Sequence, residues 1–217
     1  MLEAKWRKPT IVVAVLLIAA LAFLAYSSLF GYRYVSVESG YEFASNEALP
    51  GELLQAMASS QSFVLVLEGF EESPANAYNI VGLTTFNLVL NGNGKAVVTL
   101  ARALDAKGGL LYCNTNDGDT KTNREMPAAE CEAFLASNTS PVVYFHSFNA
   151  GLDRPRVVVS SGRIDFYPKE LYDPNVQSYI ALSVMYGNTD EVIGKSNDLL
   201  ERVGASGSAL PKPDSSS

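Results

Sequence analysis

One histidine, His146, is the chain's whole supply of imidazole, and two cysteines and one tryptophan are equally scarce. A lone histidine rules out a multi-histidine zinc site, leaving only mixed cysteine or carboxylate sets formally open. Cys113 and Cys131, 18 positions apart, form neither a four-cysteine ligand set nor a Cys-x-x-Cys redox pair. The sequence has no Gly-x-Ser-x-Gly turn to raise a nucleophilic serine, and the loop after the first core strand, Glu68 to Ser73, has neither Gly-x-Gly-x-x-Gly nor Gly-Lys-Ser/Thr to cradle a phosphate. Positive charge is also in short supply, with 16 basic against 23 acidic side chains. Lys5, Arg7, Lys8 and Glu3 all precede residue 30, so 13 basic face 22 acidic residues in the rest. That field repels nucleic acid and anionic headgroups, and no basic stripe with interleaved aromatics offsets it. Nucleic acid is therefore excluded as a partner, and neither a cofactor nor a metal is expected.

What the chain does possess is a long apolar run. From Ile11 to Phe30 only Tyr26, Ser27 and Ser28 carry a polar group, and this run contributes much of the positive mean hydropathy of +0.08. At about 1.5 Å per helical residue twenty residues reach ~30 Å, one hydrocarbon thickness, whereas a secretory core is usually about 7 to 15 residues. Residues 10–30 thus read as an uncleaved transmembrane signal anchor, with the lipid bilayer as its partner. The three cations before it hold residues 1–9 in the cytoplasm, since only Arg33 closely follows, among Glu38, Glu42 and Glu47. Everything beyond faces outward. A cleaved signal peptide ending at Ala20-Leu21-Ala22 or Ala22-Phe23-Leu24-Ala25 fits less well, because apolar residues continue past both. A buried core helix lacks a packing partner of matching size.

The remaining residues suffice for one domain. Residues 31–61 read as a juxtamembrane stalk, extended or weakly stranded around Tyr32, Tyr34 and Val37, followed by a short helix near Gly51–Ser59 opened by Pro50. The globular α/β domain is placed at 62–203. Phe63 to Leu67 is uninterrupted apolar sequence, the mark of a strand covered on both faces. Ser73 and Pro74 open a helix to about Leu90, and Asn91-Gly92-Asn93-Gly94 stops it. Ala96 to Leu100 is the next strand, so this pair should be parallel. Lys107-Gly108-Gly109 turns into Leu110–Cys113, Asn114–Asn123 is a polar loop, and Pro127–Leu135 is a helix. Strands over Val142–Phe145, Arg156–Ser160 and Arg163–Tyr167 follow, the last two as a hairpin around Ser161-Gly162. Helices near 170–186 and 190–203 complete the body, and 204–217 reads as a disordered tail. The expected fold is a mixed, largely buried sheet flanked by helices. A ferredoxin-like α+β unit is the alternative, although one covered face would make its strands alternate more.

Candidate sites follow from that outline. In an oxidising compartment Cys113 and Cys131 are most simply a disulfide, stabilising by roughly 3 kcal/mol in the chain-entropy picture. Ligands of open α/β sheets gather at the carboxyl ends of strands, which places Glu68 and the Glu71–Ser73 loop at a site edge. Asn114–Asp119 has a calcium loop's oxygen-rich composition. Glu125 stands twelfth from Asn114, but Gly118 falls where an oxygen ligand belongs and a strand precedes instead of a helix. Asn138-Thr139-Ser140 is a glycosylation acceptor triplet, read only as a sign of surface exposure. His146 shares a strand face with Val142, Tyr144 and Phe148, and its plainest reading is a satisfied strand histidine. A strand-end pocket of Glu68, Asn116, Asp117, Asp119 and His146 is the sharper one. With every catalytic element weak, the leading function is a non-enzymatic binding or scaffolding module at the cell surface, with another surface protein as partner. The alternative is an extracytoplasmic hydrolase or small-ligand domain built on that pocket.

Overall fold

A computed structural model describes residues 31–68, 74–105, 109–116, 124–147, 154–170, 172–187 and 194. The expected anchor over 10–30, the tail over 204–217 and all but Gly194 of the helix over 190–203 lie outside the described residues. Among the described residues no helix is long and apolar enough to cross a membrane.

The elements run β1 (Tyr34–Glu38), β2 (Tyr41–Ser45), α1 (Pro50–Ala58), β3 (Ser62–Glu68), α2 (Pro74–Gly92), β4 (Ala96–Leu104), β5 (Leu110–Asn116), β6 (Arg124–Pro127), α3 (Ala128–Ser137), β7 (Val142–Phe145), β8 (Arg156–Ser160), β9 (Arg163–Tyr167) and α4 (Asp173–Tyr186). The strands form one mixed sheet in the order β1-β2-β8-β9-β7-β3-β4-β5-β6. β9, β7, β3 and β4 are parallel neighbours, with antiparallel partners added on both sides. The expected parallel pair flanking α2 and the hairpin around Gly162 are both present. Nine strands in this order do not fit the ferredoxin-like alternative.

Alternation along each strand sorts side chains onto two faces. On one face Phe63, Leu65, Leu67, Val143, Phe145, Ile164 and Phe166 pack with residues of α1, α2 and α4 in the larger core. Edge and tilted contacts among Phe86, Phe145 and Phe166, with centroids 5.0 to 6.1 Å apart, knit its centre. On the other face Val64, Val66, Leu100, Cys113 and Tyr144 pack beneath α3. The expectation of helices on both faces is therefore met unequally. α3 is the only described helix packed in the second core, so β3 is apolar on both sides yet ends in Glu68.

Residues 34–58 differ from the expected stalk. β1 and β2 form a hairpin closed by Ser39 and Gly40 at positive φ, and β2 pairs in parallel with β8. Tyr41, Phe43, Leu54 and Met57 are core residues. The tyrosine hydroxyl of Tyr41 donates to buried Asp173 at 2.9 Å, tying β2 to the start of α4. The folded body thus begins near Tyr34 rather than at Ser62. Local periodicity hides this, because the partner of β2 lies more than a hundred residues away. The polar stretch from Asn114 is likewise no loop at its start: Asn114, Thr115 and Asn116 extend β5, opposite β6 and β4.

Cys113 and Cys131 are joined in a disulfide, with Cα atoms 6.1 Å apart and both residues buried, linking β5 to α3. Gly82 lies where α2 packs tightly on α4: a Cβ there would lie 3.0 Å from the Pro174 carbonyl oxygen, 3.1 Å from Phe145 and 3.1 Å from Ser178. Glycine normally costs a helix interior about 1 kcal/mol, so its presence here reflects packing. Gly82→Val should destabilise the domain by about 2 to 3 kcal/mol through overpacking, measured by denaturant unfolding; an unchanged midpoint would show that the helices can part freely.

Candidate functional site

Glu68 ends β3 and His146 immediately follows β7. Parallel pairing of Leu67 with Phe145 carries the next residues, Glu68 and His146, onto adjacent positions of the second face. Carboxylate and imidazole meet there, with His146 Nδ1 2.6 Å from Glu68 Oε2. The other ring nitrogen, Nε2, lies 2.7 Å from Oδ1 of Asp165 on β9. Arg163, two residues earlier on the same face, holds Asp165 through Nε and Nη2, each at 2.7 Å. Arg102 on β4 reaches Glu68 Oε1 at 3.2 Å. The registers therefore set a row across six strands: Arg102, Glu68, His146, Tyr167, Arg156 and Glu42. At its far end Arg156 pairs with Glu42 at 2.6 Å.

Aromatic rings complete the arrangement. The imidazole stacks on Tyr167 with centroids 4.2 Å apart and planes within 4°, and Tyr144 lies 5.6 Å away. The guanidinium of Arg163 sits 4.1 Å over the Tyr144 ring. The backbone is held as firmly, since His146 N–H donates to the Phe166 carbonyl at 3.1 Å and Asn79 Nδ2 donates to the His146 carbonyl at 3.1 Å.

The electrostatics follow from this geometry. Burial by itself lowers the histidine's proton affinity, but hydrogen bonds to Asp165 and Glu68 and their charges outweigh it, so the His146 pKa is raised. Glu68 is pushed below the ordinary carboxylate range, chiefly by its hydrogen bond to His146. Asp165 resists burial in the same direction, because His146 and Arg163 both hydrogen-bond its charged form. The cluster is an imidazolium clasped between two carboxylates, each with its own arginine.

This arrangement limits the chemistry. A general base needs a free ring nitrogen, and both nitrogens of His146 are engaged. The neighbouring hydroxyl of Ser147 donates to the Glu68 carbonyl at 3.2 Å rather than to the imidazole. Glu68 and Asp165 approach from opposite nitrogens, so the three side chains share no common focus for a cation. Among the described residues no group of three or more His, Cys, Asp or Glu is placed to hold a metal ion.

Of the expected pocket residues, Glu68 and His146 are brought together. Asn116 is not. It stands opposite Thr99, three residues back along β4 from Arg102, which places it about 10 Å along the strands from the row. The antiparallel turn into β5 points its far end at the amino ends of β3 and β4, which reading the chain alone does not reveal. Asp117 and Asp119 lie outside the described residues, as do 69–73 and 148–153, which follow β3 and β7. Asp165, Arg163, Arg102 and Tyr167 escaped the sequence reading. The signal was the alternation Arg163-Ile164-Asp165-Phe166-Tyr167, which puts two charges and an aromatic on one face. Asn138 is turned inward on its own triplet, donating to the Ser140 carbonyl at 2.6 Å and accepting from Ser140 N–H at 3.2 Å.

Comparison with family models, curated proteins and solved structures finds no match.

The shifts set the pH dependence of stability. A raised His146 pKa stabilises fully below about pH 6.5, the unfolded value, and that contribution fades as pH rises through the folded value. Lowered carboxylate values stabilise above about pH 4 to 4.5 and are lost as pH falls through the folded values. Denaturant unfolding across pH 3 to 9 should therefore peak between about pH 4.5 and 6.5. His146→Asn should cost about 2 to 3 kcal/mol at that peak, by removing the cation that Glu68 and Asp165 share and leaving each with its arginine alone, and should flatten the alkaline limb; an unaltered alkaline limb would refute the clasp.

Proposed function

We propose that this chain is a single-pass, signal-anchored protein whose extracytoplasmic α/β domain is a binding or scaffolding module at the cell surface. The anchor rests on the apolar run over 10–30 and on the cations that precede it. The outward placement is supported by the disulfide, since such bonds persist in oxidising compartments. One observation carries recognition over catalysis: the sole histidine has both nitrogens hydrogen-bonded to carboxylates, and among the described residues the neighbouring Ser147 hydroxyl is turned to the Glu68 carbonyl instead of the ring. The same clasp makes a rigid platform. Arg163, with 45% of its side chain exposed, and Arg154, with 60%, project from this half of the molecule, positioned by Asp165 and Glu42. Rigidly held arginines beside aromatic rings are the residue types that anchor protein interfaces. The partner that suits this reading is another cell-surface protein, and the row from Arg102 to Arg156 is the surface it would meet.

Protease added to intact cells should remove the folded domain; full protection would reject the topology. A photo-crosslinking residue in place of Arg163 should capture a discrete partner on the native membrane, whereas one in place of exposed Glu132 on α3 should not. Hydrolysis of ester or peptide substrates by the purified chain, abolished in His146→Asn, would instead establish the hydrolase reading.

A further inference from the structure

The two ends of the sheet are protected unequally. β6, at one edge, is four residues long, carries Arg124 and Glu125 and ends in Pro127, all features that discourage further strand pairing. β1, at the other edge, has neither lysine nor proline and alternates Tyr34, Val35, Ser36, Val37 and Glu38. Val35 and Val37 are 52% and 61% exposed. The two-residue turn through Ser39 and Gly40 makes Glu38 and Tyr41 the closing hydrogen-bonded pair of the hairpin. By alternation Glu38, Ser36 and Tyr34 bond inward to β2, and the N–H and C=O groups of Val35 and Val37 point away from the sheet.

That parity fixes which groups can pair across the edge, and the side chains it brings together suit a second copy. The geometry points to a second copy of this chain, pairing β1 against β1 in antiparallel register about a two-fold axis through Ser36. In that register Val35 meets the partner's Val37 and Val37 meets the partner's Val35, and both valine pairs are of the hydrogen-bonding kind. Four main-chain hydrogen bonds form, and four exposed valines cover one another on a single face. Ser36 meets its own copy on the axis. Glu38 stands opposite the partner's Tyr34, so no like charges oppose each other. A register shifted by one residue would set outward groups against inward ones and form no ladder, and one shifted by two would leave one end of the five-residue strand unpaired. The contact is isologous, closes at two copies and yields one continuous eighteen-stranded sheet, twice the nine of each copy.

A single five-residue edge falls short of the roughly 1,200 Å² of a standard interface, so the free pair is weak and dissociates on dilution. Confinement to a membrane surface, which rests on the proposed anchor, raises the effective concentration. The pairing itself needs only β1.

Ser36→Cys tests the register. The non-hydrogen-bonded pair on the axis sets Cα atoms about 4.5 Å apart, within disulfide range. Val37→Cys would be offset from its copy by two positions, about 7 to 8 Å, and too far to bridge. Oxidation of the full-length Ser36→Cys chain in native membranes or in detergent micelles should give a dimer linked through position 36 of both copies, located by peptide mass spectrometry. The Val37→Cys chain should give at least ten-fold less. Adding Val35→Lys and Val37→Lys should suppress the Ser36→Cys product at least ten-fold, with an unchanged circular dichroism spectrum showing that the domain still folds. A Ser36→Cys chain that stays reduced, or one that links equally well with the lysines present, overturns the pairing. So does linkage of the introduced thiol to a different protein, which would make β1 a strand-addition site for another partner. Partner capture at position 163 alongside a monomeric chain would reject this pairing and leave the binding reading intact. A dimer with no such capture would do the reverse.

Discussion

Parallel pairing of β3 with β7, from Val64 against Val142 to Leu67 against Phe145, is the constraint from which the rest of the molecule follows. It places two uninterrupted apolar strands at the middle of a nine-stranded sheet and buries Leu65 and Val143 completely. At roughly 25 cal/mol per Å² of apolar surface removed from water, such fully covered strands supply much of the driving force for folding. The same pairing runs out at Glu68 and His146, where the sheet's apolar stock ends. Charged groups at that depth must be compensated, and each is. Glu68 meets Arg102 and His146, while Asp165 meets His146 and Arg163. The polar row is thus the carboxyl-end boundary of the core, and its order is inherited from strand register.

A histidine between two carboxylates can be mistaken for a catalytic relay. The distinction lies in valence. A relay histidine is hydrogen-bonded to an acid through one nitrogen and offers the other to a nucleophile. Here the second nitrogen is held at 2.7 Å by Asp165, and an arginine clamps that aspartate in two places. Stacking on Tyr167 fixes the remaining face. The residues are immobilised as a unit, which suits a surface that presents fixed charges and rings to a partner.

Much of the architecture was legible because its causes are local. Pro74 opens α2, Gly162 at positive φ closes the β8–β9 hairpin, and β7, β8 and β9 run over the residues the sequence predicts. The disulfide was legible as the simplest state of two cysteines in one domain expected to face an oxidising compartment. The hairpin of β1 and β2 was harder. Its turn uses Ser39, a residue type uncommon at positive φ, and β2 is stabilised by β8, far along the chain. Asn114–Asn116 misled for the complementary reason: turn-forming residues were drawn into a strand by Arg124 and Glu125 opposite them.

By itself the sequence determined which residues are apolar in strand-length blocks, where glycine and proline end elements, the surplus of acidic over basic side chains, and the absence of the spacings that phosphate, zinc or nucleophile chemistry requires. Strand parity was also written in it: residues two apart share a face whatever the neighbours are. Only tertiary structure decided which faces meet. His146 reaches Glu68 across 78 residues and Asp165 across 19, and Asn116 lies apart from both although it is nearer to His146 in sequence than Glu68 is. Alternation is a property of one strand. Adjacency depends on the order and direction of all nine, and that order is set by the burial of the whole sheet rather than by any segment of it.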